Sequence, residues 1–237
     1  VGTFGSGMIA YTLSDSEYRF FVNEPNSTNS LIDNYVLSSY LDRSGLLWVG
    51  THLGAGISKI EKTKPKFSVL RAAPGGEGSL NNSMVWSISA NETELWVGTS
   101  SGGLNFLNRK TGAFSYFKHN PSDPNSLSDN HIRSIRRMSN GAFWIGTFGK
   151  GLNYFNPTTN SVIRYTHNPA DSLSISGQQV LTMVLEGDSL LYIGTFGGGL
   201  DVARIDRRTG SLQIIAKYKH NPNDAFSLSD NRVYAMI

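Results

Sequence analysis

Cysteine is absent from the 237 residues, which excludes disulfides, thiolate metal sites and cysteine nucleophiles. Charge is sparse too: 16% of residues are Asp, Glu, Lys or Arg, and the net charge is +3. So slight a basic excess, without runs of Lys or Arg, argues against a nucleic-acid partner. The two basic pairs, Arg136-Arg137 and Arg207-Arg208, read as solvated faces. No apolar run approaches the roughly 18–20 residues of a membrane helix, and no signal peptide opens the chain. Membrane contact is therefore expected only through a segment outside this sequence. Proline is held to 8 residues against 25 glycines, and 39% of the chain is apolar, the balance of a folded chain with many turns.

What the sequence does have is a repeat. Val1-Gly2-Thr3 recurs as Val49-Gly50-Thr51, Val97-Gly98-Thr99, Ile145-Gly146-Thr147 and Ile193-Gly194-Thr195, at intervals of 48 residues. Periods of this size mark solenoids or propellers. Helical repeats are excluded, because no segment sustains a 3.6-residue apolar period and glycine punctuates the whole chain. Four strands of about five to seven residues, with their turns, fill one period, which is one β-propeller blade. The fold class is all-β, a β-propeller of five four-stranded blades in one domain. Blade units fall at 1–34, 35–82, 83–130, 131–178 and 179–231, with 232–237 completing the first blade. In the fourth unit the strands are expected at 131–137, 143–147, 152–156 and 162–166, with strand A of the last unit at 233–237.

The crossing loop between blades repeats as well. His119-Asn120-Pro121 through Ser126-Leu127-Ser128-Asp129-Asn130 returns as His220-Asn221-Pro222 through Ser227-Leu228-Ser229-Asp230-Asn231. Proline fixes the backbone, Asp and Asn close local turns, and the single Leu plugs inward, which reads as a rigid strap.

The blocks Leu46-Leu47-Trp48-Val49-Gly50-Thr51, Leu95-Trp96-Val97-Gly98-Thr99 and Phe143-Trp144-Ile145-Gly146-Thr147 resemble the two-component regulator propeller repeat. Gly151-Leu152-Asn153 and the Ser-Leu-Ser-Asp-Asn phrases do the same. That repeat builds the periplasmic sensor region of hybrid two-component sensor histidine kinases of Bacteroidetes. The resemblance implies an extracytoplasmic, ligand-sensing part of an inner-membrane protein. It also implies a kinase outside this sequence and a native chain extending beyond both ends. Oligosaccharides or other small ligands are the implied binding partners. An adjoining propeller or signalling domain and a homodimer are the implied protein contacts. Members of the family usually carry seven blades, so a closed five-bladed ring and a segment of a seven-bladed one both stay open.

Comparing the blades with one another separates fixed positions from free ones. On strand A one column reads Val36, Val85, Ile132, Val180, Val233, and the next same-side column reads Ser38, Ser87, Ser134, Thr182, Ala235. The interleaved columns vary: Tyr35, Met84, His131, Gln179, Arg232, then Leu37, Trp86, Arg133, Leu181, Tyr234. Chain direction places the first variable column beside the B–C turns, which carry Phe4, His52, Ser100, Phe148, Lys150 and Phe196. The candidate ligand-binding residues are therefore Tyr35, His52, Met84, Trp86, His131, Arg133, Phe148, Lys150, Gln179, Phe196, Arg232 and Tyr234. Rings stack on pyranose faces, and forked donors bind hydroxyls or acidic groups. Trp86 suits packing as well as binding. Trp48, Trp96, Trp144 and Tyr192 recur inside strand B and read as core.

Enzymatic readings find little support. His119, His167 and His220 occupy equivalent places in successive blades and do not converge on one ion. His52 and His131 lack a ligand-type spacing, so no metal or other cofactor is expected. Glycosidases need two carboxylates facing a cavity, and no Asp or Glu lies in the expected strands A. Asp33, Asp129 and Asp230 precede those strands and read as turn formers. The expected function is a non-enzymatic sensor, with a protein-binding scaffold as the alternative.

Overall fold

Each repeat folds as a meander of short antiparallel strands, because apolar segments of about five residues alternate with glycine-bearing turns. A computed structural model describes residues 1–12, 16–25, 27, 30–52, 56–61, 64–72 and 78–236. The second blade comprises β3 Val36–Leu41, β4 Leu47–Thr51, β5 Ile57–Glu61 and β6 Lys64–Leu70, after β1 Met8–Thr12 and β2 Glu17–Phe21 in the first. The third is β7 Val85–Ala90, β8 Glu94–Thr99, β9 Leu104–Asn108 and β10 Phe114–Phe117. The fourth is β11 Ile132–Arg137, β12 Phe143–Thr147, β13 Leu152–Asn156 and β14 Ser161–Tyr165. The fifth is β15 Val180–Glu186, β16 Leu190–Thr195, β17 Leu200–Ile205 and β18 Leu212–Tyr218. These four blades are four-stranded sheets in chain order, and β1 pairs β2 in a two-stranded sheet to which Gly2 is joined by a single bridge to Met8. The fold is all-β and made of propeller blades, as the period predicts.

The strand expected at 233–237 does not form over 233–236, and Ile237 lies outside the described residues. Arg232 makes one bridge to Phe196, and the residues after it find no ladder partner among the described residues. Strand β15 ends on an acid, Glu186.

The chain forms two compact units, Val1–Tyr116 and Phe117–Ile237. In the first, Trp48, Ile57, Leu80, Val85, Leu95 and Val97 share one buried cluster between the second and third blades. In the second, Trp144, Leu152, Ile175, Val180, Met183 and Ile193 do the same between the fourth and fifth. Trp48, Trp96 and Trp144 are thus core, as expected, at 3%, 3% and 0% exposure. Strap residues Leu31, Leu80, Leu127 and Ile175 are buried plugs.

The straps are closed by their own hydrogen bonds. Ser126 Oγ accepts the Asn120 N–H at 2.9 Å and donates to the Asp123 carbonyl at 2.8 Å, and Ser174 and Ser227 repeat this with their own Asn and Asp. Buried polar residues of the third strands then pin the straps. The Asn153 side chain accepts from the Ser128 N–H at 2.9 Å, and Asp201 accepts from the Ser176 N–H at 2.6 Å. His119, His167 and His220 each place Nδ1 2.7 Å from a strap carbonyl, of Leu127, Ile175 and Leu228, so these rings serve the strap.

Blade spacing within each unit is set by a bare glycine. A Cβ on Gly146 would meet Val180 Cγ1 at 2.7 Å, and one on Gly50 would meet Val85 Cγ1 at 3.0 Å. Gly151 is required for a different reason: its φ is +78°, and a Cβ there would collide with the Tyr165 carbonyl.

A buried ion pair locks the first unit. The Asp42 side chain is fully buried; it accepts from Trp48 Nε1 at 3.0 Å, Ser44 Oγ at 2.6 Å and the Leu46 N–H at 3.0 Å. Arg109 Nη1 of the next blade lies 3.0 Å from it, with the guanidinium 5.1 Å over the Trp48 ring. Arg136 corrects the solvated-face reading of its pair. Burial pushes its guanidinium below the ordinary value, and Arg137 lies 5.4 Å over Phe143. The sequence shows two adjacent charges but not their burial or the cross-strand ring of Phe143 beneath Arg137.

Gly146→Ala is expected to destabilise by about 1–3 kcal/mol, since one added methyl overpacks a filled interface; chemical denaturation measures it. Burial raises the Asp42 carboxyl, but the Ser44, Trp48 and Leu46 donors and the Arg109 charge outweigh it and hold it below the ordinary 3.8. Its stabilisation is therefore complete above the unfolded value and lost as pH falls through the lower folded one. Asp42→Asn should lower the melting temperature at neutral pH and flatten its decline below about pH 4, followed in melts across that range.

Candidate functional site

An antiparallel A–B ladder puts the start of strand A beside the end of strand B. Each complete blade closes this end with the same bond: the N–H after strand B donates to the carbonyl before strand A. The pairs are His52 to Tyr35, Ser100 to Met84, Phe148 to His131 and Phe196 to Gln179, at 2.9–3.0 Å. The two sets of variable positions therefore do share one end of the blades. The repeat threonine fixes the turn that follows. Thr147 Oγ1 donates to the Gly151 carbonyl at 2.9 Å and accepts the Lys150 N–H at 3.1 Å, and Thr51, Thr99 and Thr195 make the equivalent donation. Sequence reading passed over these threonines, although their recurrence in every Val-Gly-Thr phrase was the available signal.

A second feature leaves no mark in the sequence. The A–B register shifts between Val36 and Ser38, Val85 and Ser87, Ile132 and Ser134, and Val180 and Thr182. Leu37, Trp86, Arg133 and Leu181 are thus bulge residues, outside the ladder, where a bulge re-aims the side chain.

In the first unit, Phe4 packs edge-on to Tyr35 at 4.7 Å and tilts against His52 at 5.8 Å. His52 stands edge-on to Trp86, also at 5.8 Å. Phe4 is 74% exposed; Tyr35, His52, Met84 and Trp86 are half-buried. Met84 gives its carbonyl to the end bond.

In the second unit, His131 stacks on Phe148 at 4.9 Å, and the Arg133 guanidinium lies 5.6 Å over the same ring. Phe196 and Tyr234 meet edge-on at 6.1 Å, 41% and 61% exposed. Lys150 is exposed. Gln179 is half-buried and contributes its carbonyl. Arg232 is held by Asp230, through Nε to Oδ1 at 3.0 Å and Nη2 to Oδ2 at 2.6 Å. That bond and the Arg232 N–H hold the Asp230 carboxyl at about 2.

Electrostatics distinguishes the second unit. Burial, then the Arg133 charge, push the His131 imidazole below its ordinary 6.5, against a smaller pull from Asp129. Burial also lowers Arg133, while Tyr234 pulls it up. Asp33, Asp129 and Asp230 each accept the N–H two residues on, at 3.2, 3.1 and 2.8 Å, as turn formers do. Among the described residues no three His, Asp or Glu side chains gather as a metal-binding group. An open pocket of about 550 Å³ lies at the other end of the fifth blade, lined by Val184, Leu185, Glu186, Tyr192 and Met236.

Repeated blades with uniform cores and variable ring-bearing ends define the class, a β-propeller that presents side chains from one end of its strands. The family model for the two-component regulator propeller matches residues 30–52, the entry into the second blade. Histidine kinase P4 of Formosa agariphila is 36% identical over 66 residues, which cover 27% of this chain and 5% of that protein. The extracellular domain assigned to the hybrid two component system BT3049 from B. thetaiotaomicron is 25% identical with a TM-score of 0.65, over 84% of this chain and 27% of that one. PorZ, a surface component of the type IX secretion system of Porphyromonas gingivalis, superposes over 99% of this chain and 33% of its own, with a TM-score of 0.69. At 16% identity it shows the fold alone. The chain thus spans about a third or less of these relatives. Its resemblance to two-component regulator propellers holds, and the similar structures include extracellular domains of such systems.

The His131 imidazole should titrate below 6.5 in a proton NMR series. Arg133→Gln should move it up only partway, since burial is the larger cause and remains.

Proposed function

We propose that this chain is the periplasmic ligand-sensing propeller of a hybrid two-component regulator, that it recognises oligosaccharides, and that it signals to a kinase elsewhere in its protein. One observation carries the reading. The blade end is closed by the same backbone bond in all four complete blades, yet the residue accepting it differs in every one and the donor is His, Ser, Phe and Phe in turn. Architecture fixes the frame there and leaves the chemistry free. Aromatic side chains dominate what fills it, with Phe4, Phe196 and Tyr234 exposed. Aromatic faces match the apolar faces of pyranose rings, while His, Gln and Arg supply hydroxyl partners.

The reading is non-catalytic. Glycosidic cleavage needs two carboxylates on the substrate. The acids at this end each hold a backbone N–H, and Glu186 sits at the opposite end of β15. Sensing instead requires that ligand favour one arrangement of the larger protein over another, which an adjoining domain or a second copy would read out.

Calorimetric titration with a panel of neutral and acidic oligosaccharides tests this. At least one should bind, and Phe196→Ala and Tyr234→Ala should weaken binding about tenfold while leaving the melting temperature unchanged, since both rings are exposed. Silence across the panel, with capture of a protein partner, would favour a scaffold.

A further inference from the structure

We infer that the pocket at the far end of the fifth blade receives an arginine from another protein segment. Its guanidinium lies over Tyr192 and pairs with Glu186, while apolar residues beside it cover Val184, Leu185 and Met236. This site is separate from the strand-start end and does not depend on sugar binding there.

The second blade shows what the same pair of side chains does when it is complete. Asp42 and Trp48 stand three repeats before Glu186 and Tyr192, in the same two columns. In each blade the strand-B aromatic donates to the acid at the close of strand A. Trp48 Nε1 donates to Asp42 at 3.0 Å, and the Tyr192 hydroxyl donates to Glu186 Oε2 at 2.9 Å. Arg109 of the third blade completes the first pair, 3.0 Å from Asp42 and 5.1 Å over the Trp48 ring. No cation completes the second pair among the described residues. The fold does not require an acid in this column, which holds buried Ala90 and Met138 in the third and fourth blades. An acid stands there twice, and one of the two has its arginine.

The pocket has the size and lining for that group. It holds about 550 Å³, and Glu186 is the one charged residue among Val184, Leu185, Tyr192 and Met236. Its other walls are half-buried, while Glu186 is exposed. The Glu186 hydrogen bond, followed by its charge, raises the Tyr192 phenol above the ordinary 10, as an uncompensated carboxylate does. One Glu186 oxygen accepts the phenol, and the other remains for a guanidinium. Arginine suits the rest of the site: its stem packs on apolar walls, and its planar head stacks on a ring. Lysine brings a compact, strongly hydrated charge that does not stack. The walls also point to a protein as the source. A free guanidinium leaves most of a pocket this large wet, whereas apolar residues beside an arginine cover it.

The test is an NMR titration of the 237-residue chain with capped tripeptides. The probe is leucyl-arginyl-leucine, and its twins carry citrulline or lysine in place of the arginine. Agmatine serves as the bare guanidinium. The arginine peptide should bind about fivefold tighter than the citrulline twin, with a preference that shrinks as salt rises. Amide shifts should centre on Val184, Leu185, Glu186 and Tyr192. The lysine twin should fall between the other two, and agmatine should bind more weakly than the arginine peptide. Glu186→Gln, an exposed change that spares the fold, should erase the preference, and Tyr192→Phe, which keeps the ring, should preserve it. No binding by the arginine peptide, equal binding of the citrulline twin, or a preference that survives Glu186→Gln overturns the proposal. Agmatine binding as tightly as the peptide overturns the protein source. Each of these outcomes leaves sugar sensing untouched.

Discussion

A missing side chain governs this molecule. The glycine of four of the five Val-Gly-Thr or Ile-Gly-Thr phrases lies where a valine of the next repeat must pass, and a Cβ there would meet that valine. Gly2 stands against Val36, Gly50 against Val85, Gly146 against Val180 and Gly194 against Val233, with approaches of 2.5–3.0 Å. Glycine elsewhere in a strand weakens it; here it lets one sheet lie against the next. The valines in turn fix the register of strand A, so the residue before each is carried to the B–C turn. The bulge residue follows one position later.

Polar bonds then hold what the apolar contacts position. The threonine after the glycine closes the turn, and the strap closes on its serine. Asn153 or Asp201 ties the strap to the third strand. Buried polar groups are tolerable when each finds a partner, and the repeat supplies the partners at fixed offsets. Asn153 and Asp201 both accept the strap N–H, but they meet the strap hydroxyl in opposite senses: Asn153 Nδ2 donates to Ser128 Oγ, whereas Ser176 Oγ donates to Asp201. In the first unit the equivalent place is held by Asn105, which accepts the Asn81 N–H, and by Ser58, which accepts the Ile32 N–H.

Features that recur in step with the period were legible in the sequence. The strand meander, the buried tryptophans, the strap plug and the shared end of the variable columns are all of that kind. Features that break the step were not. The bulge at Leu37, Trp86, Arg133 and Leu181 leaves no mark, because strand A still alternates in letters while its ladder slips by one residue. The Asp42–Arg109 pair joins residues of different blades, and no repeat unit contains both. Arg136-Arg137 reads as solvated because sequence shows the charge and not the burial of Arg136 or the ring under Arg137. The last strand was placed by analogy with the other blades, and a strand without a ladder partner does not form. Candidate binding residues were legible as a set of variable positions, but their grouping was not. Which rings touch depends on blade spacing and on the bulge, and neither is written in any one repeat.

The bulge also explains how one architecture can carry differing chemistry. A ladder residue is answerable to its cross-strand partner, so changing it disturbs two strands. A bulge residue has no such partner, and Leu, Trp and Arg occupy it with the same register shift around them. Burial still sets a limit. Leu181 is 5% exposed, so a charge there would be left in apolar surroundings, whereas Arg133 has the face of Phe148 and the phenol of Tyr234 beside it. A cation at this position therefore depends on aromatic neighbours from the adjoining turn and from the segment after Arg232. Freedom at one residue of the blade end is conditional on the residues around it, and such positions should change together rather than singly.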